Sequence, residues 1–304
     1  MENVIVTGGA GFIGSNLCRI LTDQVEELIV IDKLTYAGDS SRLDDIEGKL
    51  LVQDINEPII DILDEYGIDT VFHLAAETHV DNSIRNPDEF VKTNVNGTLN
   101  LICDVVNYNP KIRFVNISTD EVFGDLDYLD DPFTEESPYK PSSPYSASKA
   151  GADFLVKSYV RTFGLNAITT NCSNNYGPNQ HEEKLIPKVI QNISNGEPIP
   201  VYGSGENIRD WIYVDDHCEA LIHLAKNGKE GESYNIGADE EWCNLSIIHE
   251  IAGIMGKNPE IEFVEDRKGH DFRYAINSAK VKETGWEPKM DFREGLEKTI
   301  EFYK

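Results

Sequence analysis

The sequence is poor in basic residues: of 304 residues only 27 are Lys or Arg, against 54 Asp or Glu, leaving a net charge of -27. A field of that sign repels nucleic acid and anionic membrane, so neither is expected as a partner. It also opposes an anionic small molecule at long range, so such a ligand needs a locally basic pocket. The five cysteines, Cys18, Cys103, Cys172, Cys218 and Cys243, include no CxxC and no Cys/His spacing of a metal site. That pattern argues against a disulfide scaffold, fits free thiols in a reducing compartment, and leaves no metal to be expected. No apolar run approaches the ~20 residues that cross a bilayer. The chain opens on a strand-like Val4-Ile5-Val6, with no basic segment leading into an apolar one. A cytoplasmic protein is therefore expected. Internal repeats and low-complexity tracts are also missing.

What is present is alternation. Short β-rich runs at 3–7, 28–31, 70–74 and 112–117 are separated by helix-length stretches at about 12–24, 57–66 and 88–107, with a third strand expected just before Asp54. Continuous apolar strands between helices predict a buried parallel sheet, a Rossmann-like, doubly wound α/β fold. A long helix is expected after Pro144, from about 145 to 163, with Ala150, Phe154, Val156, Tyr159 and Val160 marking its apolar side. A strand at 166–171 follows. Beyond residue 173 the Asn- and Gly-rich Ser173-Asn174-Asn175-Tyr176-Gly177-Pro178 signals a loop. Helices at about 183–195 and 213–227 and strands at 199–202, 234–237 and 261–264 complete the reading. The expected division is an NAD-binding domain of residues 1–173 plus about 211–238, and a smaller C-terminal α/β substrate lobe of about 174–210 and 239–304.

Strand 3–7 runs into Thr7-Gly8-Gly9-Ala10-Gly11-Phe12-Ile13-Gly14. Gly8, Gly11 and Gly14 form a GxxGxxG loop between strand and helix. Such glycines allow a tight turn, let backbone approach a pyrophosphate, and let helix pack closely on strand, while the helix N-terminus offers free N–H groups to phosphate. Asp32 closes the second strand, where a carboxylate accepts from ribose hydroxyls and repels a 2′-phosphate, so NAD is expected over NADP; the adjacent Lys33 weakens that preference. Asp54 is a candidate for the adenine or else a surface acid. Ala75 and Ala76 suit backbone lying close to the cofactor, or plain packing.

Tyr145-Ser146-Ala147-Ser148-Lys149 is a YxxxK pair on one helix face. An ammonium beside a phenol stabilises phenolate, which makes Tyr145 a candidate base for a hydroxyl whose carbon loses hydride. The fifth strand ends in Ser118-Thr119-Asp120-Glu121, at the strand end where ligands sit in doubly wound sheets. Two adjacent carboxyls there can hold different protonation states, one acid and one base.

Together these residues resemble the extended short-chain dehydrogenase/reductase family over essentially the whole chain, and within it the nucleotide-sugar dehydratases. The stretches that carry the resemblance are Asp32-Lys33-Leu34-Thr35-Tyr36-Ala37-Gly38, Ala75-Ala76-Glu77-Thr78-His79-Val80-Asp81, Ser118 to Gly124, Cys172 to Pro178, Arg209-Asp210-Trp211 and Gly269 to Tyr274. Epimerases of the family lack both acids after the threonine. The resemblance implies dTDP-glucose as substrate, NAD as a retained cofactor, a homodimer, and a role in deoxysugar biosynthesis such as that of rhamnose. It implies catalysis by Thr119, Asp120, Glu121, Tyr145 and Lys149. It adds Phe12, Ile13, Ile55 and Asn94 to the cofactor site. It places His79, Thr119, Asn174, Lys184, Leu185, Tyr202, Arg209, Asn244, His270 and Tyr274 on the substrate, with Arg209 and His270 at the diphosphate and Tyr202 and Asn244 at the nucleotide. The C-terminal lobe is shorter than in many bacterial relatives, and Phe123 stands where they carry tyrosine. The alternatives are another nucleotide-sugar dehydratase, a 4-epimerase, or an inert NAD-sensing regulator, which would need only the nucleotide loop.

Overall fold

The computed structural model describes residues 1–266 and 269–304. Its strands, in chain order, are β1 (Asn3–Thr7), β2 (Glu27–Asp32), β3 (Lys49–Val52), β4 (Thr70–His73), β5 (Arg113–Thr119), β6 (Ala167–Cys172), β7 (Asn174–Tyr176), β8 (Ile199–Tyr202), β9 (Ile208–Tyr213), β10 (Ser233–Ile236), β11 (Glu241–Cys243), β12 (Ile261–Val264) and β13 (Arg273–Tyr274). Seven of them form one parallel sheet in the order β10-β6-β5-β4-β1-β2-β3. The order reverses between β1 and β4, which opens a crevice at their carboxyl ends.

Both faces of the sheet are covered. Val4, Val6, Val30, Phe72 and Val115 pack on one side with Leu17 and Leu21 of the helix Phe12–Leu21 and Leu221 and Leu224 of the helix Val214–Asn227. Ile5, Ile29, Ile31, Val71 and Phe114 pack on the other with Leu101, Ile102 and Val105 of Thr98–Tyr108 and Val156 of Pro144–Phe163. Alternation along strands buried on both sides produces the near-continuous apolar runs of the sequence.

The helix Pro144–Phe163 has a full set of end signals. Ser143 and Ser146 form a reciprocal capping box, Pro144 takes the first turn, and Gly164 ends it in the left-handed region at φ 68°. Its expected apolar side is the inward one for Ala150, Val156, Tyr159 and Val160, and differs at Phe154. Phe154 is 58% exposed and lies against Tyr139, whereas Asp153 is fully buried toward β5. Polar groups on β5 satisfy the acid, which outweighs the apolar periodicity. The expected helix 88–107 is real but changes pitch: Val91–Gly97 widens to π geometry between Pro87–Phe90 and Thr98–Tyr108.

The lobe is built on β9, which pairs with β7, β11 and β13, and on the parallel pair β8 and β12. Residue 210 lies inside β9. The helices Leu185–Asn195, Asn244–Met255 and Phe292–Tyr303 close over this sheet around Ile190, Ile248, Leu296 and Trp211. The segment 173–178, expected as a loop, contains β7.

Candidate active site

The glycine loop leaves β1 and enters the helix Phe12–Leu21 with Gly11 as its N-cap and no side-chain cap, so the first amides of that helix face the crevice unspent. Gly8 has φ 71°, and a Cβ there would stand 2.7 Å from the Ala75 backbone. A Cβ on Gly14 would come within 2.2 Å of the Gly8 carbonyl oxygen. Only glycine lets loop, helix and the end of β4 approach this closely.

One cleft takes in Gly8, Gly11, Phe12, Ile13, Gly14, Asp32, Asp54, Ile55, Ala75 and Ala76 at one end and Thr119, Asp120, Glu121, Tyr145, Lys149, Asn174 and Lys184 at the other. Asp32 accepts from the Ala10 amide at 3.0 Å and the Leu34 amide at 2.8 Å, which fixes its carboxylate at the lip of the glycine loop. Lys33 is turned to Asp54, 2.9 Å away, and to Glu89. Burial raises the Asp54 carboxyl, but the Asn56 amide and the Lys33 ammonium prevail and bring it to about 2. Asn94 is buried in the π turn, where it accepts from the Glu77 amide at 2.9 Å and donates to the Glu77 carbonyl and to Ser148. It ties the segment after β4 to the Tyr145 helix rather than lining the cleft.

At the chemical end, the Thr119 hydroxyl donates to Asp120 Oδ1 at 3.2 Å and accepts from the Glu121 amide. Asp120 is 3% exposed, and its Oδ2 has no hydrogen-bond partner among the described residues. Burial, then the Glu121 and Asp210 carboxyls, hold Asp120 well above the usual carboxylate range, against Arg209 and Thr119. That environment favours the neutral, proton-donating form of the carboxyl. Burial, then Glu121 and Cys172, push the Tyr145 phenol up, and the neighbouring Thr119 hydroxyl acts against them. Lys149 donates to the Ile117 carbonyl at 2.7 Å. The groups that set the phenol are thus burial, Glu121, Cys172, Thr119 and Asp120.

The lobe supplies the remaining candidates. Arg209 donates to the Ile208, Phe272 and Asp271 carbonyls and stacks 4.2 Å above the Tyr274 ring. Tyr274 donates to Asp271 and is electrostatically felt by Glu121, which joins this cluster to the acid pair. His270 pairs with Asp266 at 2.7 Å, with Tyr202 edge-on at the end of β8. Asn244 opens its helix beside Asn207. His79 caps Val80–Arg85 and faces Glu183 at 3.5 Å. Leu185 packs into the lobe core rather than the cleft. Sequence reading missed Asp153, Cys172 and Ser173; the latter two line the cleft at the carboxyl end of β6. Their position at a strand end was the available signal. Among the described residues no group of three or more His, Cys, Asp or Glu could hold a metal ion.

A family model described as GDP-mannose 4,6 dehydratase matches residues 5–299. The chain is 44% identical to a dTDP-glucose 4,6-dehydratase of Neisseria meningitidis serogroup B, over 100% of this chain and 93% of that protein. The chain belongs to the sugar-nucleotide dehydratases of the extended short-chain dehydrogenase/reductase family. This dehydratase chain is also 47% identical to the low-salt glycan biosynthesis protein Agl12 of Haloferax volcanii, covering 99% of this chain and 98% of that protein. The crystal structure of DesIV, a dTDP-glucose 4,6-dehydratase from Streptomyces venezuelae with NAD and TYD bound, superposes with a TM-score of 0.94 at 40% identity, covering 99% of this chain and 97% of that one. The Rossmann-like, doubly wound fold expected from the alternation is thus the observed one.

Proposed function

We propose that this chain dehydrates dTDP-glucose to dTDP-4-keto-6-deoxyglucose with NAD as cofactor. The observation that carries the reading is the acid pair: a buried Asp120, its carboxyl held well above the usual range by burial and by Glu121, in the same cleft as Glu121 and Tyr145. The glycine cradle, the free helix amides and the fixed Asp32 carboxylate fit a dinucleotide without a 2′-phosphate. NAD, when bound, accepts hydride from C4 of the sugar and later returns it to C6. Tyr145 takes the 4-hydroxyl proton as that hydride leaves. The resulting ketone acidifies the C5 proton, which Glu121 removes. Asp120 gives its proton to the departing 6-oxygen, water leaves, and C5 is reprotonated.

Residues 1–173 with about 211–238 hold the cofactor in this reading, and about 174–210 with 239–304 hold the sugar nucleotide. Asn174 and Lys184 reach the sugar and phosphates, Arg209 and His270 the diphosphate, and Tyr202 and Asn244 the nucleotide. Ser148, Glu77 and Asn94 keep the Tyr145 helix in register with the cofactor loop. We further propose a homodimer working in the cytoplasm. Phe154 and Phe163, both more than half exposed on Pro144–Phe163 next to Thr98–Tyr108, support a paired-helix interface. The test is a panel of nucleoside diphosphate glucoses given to purified protein. Release of a 4-keto-6-deoxy product, one water lighter and fastest from dTDP-glucose, is expected; product of unchanged mass refutes the proposal.

A further inference from the structure

Two buried charges on Pro144–Phe163 reach the same short piece of β5 from adjacent turns. Lys149 Nζ donates to the Ile117 carbonyl at 2.7 Å. Asp153, with no exposed surface, accepts from the side chains on either side of Ile117, Asn116 Nδ2 at 2.8 Å and Ser118 Oγ at 2.7 Å, and from Tyr139 OH at 3.1 Å. Residues four apart share a helix face, and strand alternation turns Asn116 and Ser118 to one side. Three converging donors are what a buried carboxylate requires. A simple helix–strand tie would need only one.

We infer that Asp153 is a positioning residue for Lys149: its carboxylate is the buried counter-charge that keeps Lys149 an ammonium, and its bonds to Asn116 and Ser118 fix the carbonyl on which that ammonium rests. A lysine taken wholly out of water is driven to shed its proton unless an anion faces it. Burial pushes Lys149 down, and Asp153, then Cys172, act against that. The other groups around the pair stay uncharged near neutral pH. His73 of β4 is held at about 3 by burial and by Lys149, Cys172 of β6 is pushed up to about 12, and burial raises Tyr139 and Tyr145. Lys157, one turn further on, is a second cation facing Asp153. Asp153 therefore supplies the negative charge that Lys149 feels.

The inference rests on the proposed role of Lys149 beside Tyr145, but the charge on Lys149 is readable without turnover. Protein labelled with carbon-13 at the lysine ε position, with Lys149 assigned through Lys149→Met, is titrated by NMR. In Asp153→Asn the Lys149 midpoint should fall by about one pH unit, roughly tenfold in the equilibrium, and Asp153→Glu should restore it. A midpoint that moves in neither variant overturns the inference. If Asp153→Asn does not fold, the parent decides. Its Lys149 resonance should carry a second, acid-side inflection as Asp153 takes up a proton above the ordinary aspartate range, and Tyr139→Phe, which removes a donor, should move that inflection upward. A single-step titration unchanged by Tyr139→Phe overturns it. In turnover, the alkaline limb of kcat should move down with the Lys149 midpoint while KM holds; a loss equal at every pH would mark a merely structural residue. A parent that titrates as expected yet releases no dehydrated product sinks the proposed function and supports the Lys149–Asp153 pairing alone.

Discussion

Asp120→Asn separates the two carboxyls by role, because the structure fixes what the substitution does and does not change. Asparagine is isosteric with the acid. Burial, Glu121 and Asp210 hold the Asp120 carboxyl well above the usual carboxylate range, which favours its neutral form, and asparagine mimics that form without its transferable proton. Stability should therefore change by less than ~1 kcal/mol, a shift in Tm of a few degrees at most. Cofactor affinity should hold, since Asp120 lies at the far end of the cleft from Asp32. The elimination step, by contrast, should slow by ~10²–10⁴-fold, the usual contribution of a general acid, or about 3 to 5 kcal/mol of barrier. The assay is single-turnover absorbance of NADH paired with mass analysis of the sugar nucleotide. Enzyme-bound NADH and a 4-keto-glucose two hydrogens lighter than the substrate, with its 6-oxygen still in place, should accumulate, and Glu121→Gln should stall at the same stage by failing to take the C5 proton. Dehydration at the normal rate in both variants refutes the roles given to the acids. A Tm loss worth several kcal/mol in Asp120→Asn would show instead that a buried charge had been removed, and that Asp120 was not the acid.

Tyr145→Phe should nearly abolish C4 oxidation, again by ~10²–10⁴-fold, while cofactor stays bound; a near-normal rate removes Tyr145 from the chemistry. Asp32→Ala should narrow the preference for NAD over NADP measured by calorimetry, because the carboxylate held by the Ala10 and Leu34 amides no longer faces a 2′-phosphate; equal affinity of the parent for both cofactors counts against the assignment. Acid should destabilise the fold through His217, which burial lowers from 6.5 to about 3. The unfolded chain binds that proton below pH 6.5 and the folded one does not, so stability present above 6.5 is lost as pH falls, by about 1.4 kcal/mol per unit. Between urea titrations at pH 6.5 and 5.5, where the unfolded imidazole goes from half to mostly protonated, His217→Gln should lessen the loss of stability by about 1 kcal/mol relative to the parent, and an identical slope would contradict it.

The sheet domain was legible because its signals are local. Apolar runs, GxxGxxG and the Ser143-Pro144 helix start each specify geometry within a few residues, and the structure places Gly8, Asp32, Ala75, Asp120 and Tyr145 around one cleft. The lobe was harder. β7 and β13 are three and two residues long, and their Asn, Arg and Tyr side chains read as loop until β9 lies between them. Phe154 and Asp153 misled for a related reason. Periodicity assigns the apolar residue inward, but Asn116, Ser118 and Tyr139, distant in sequence, make a polar socket that only the assembled fold provides. The orientation of Lys149 was likewise invisible, since its acceptor is a backbone carbonyl.

The chain crosses between the main sheet and the lobe after Cys172, after Tyr213 and after Ile236, and it returns to the main sheet once more in the helix Ala279–Glu283, whose Val281 joins that core, before Phe292–Tyr303 closes the lobe. The lobe is therefore not a cassette. No single cut frees it, and grafting a relative's lobe would require every one of these junctions to match at once, one of them where β9 leads straight into a helix packed against Phe12–Leu21. Lineages with this topology would be expected to change substrate by substituting individual side chains and lengthening loops on a fixed frame. Laboratory evolution of new sugar specificity should start from those positions rather than from domain exchange.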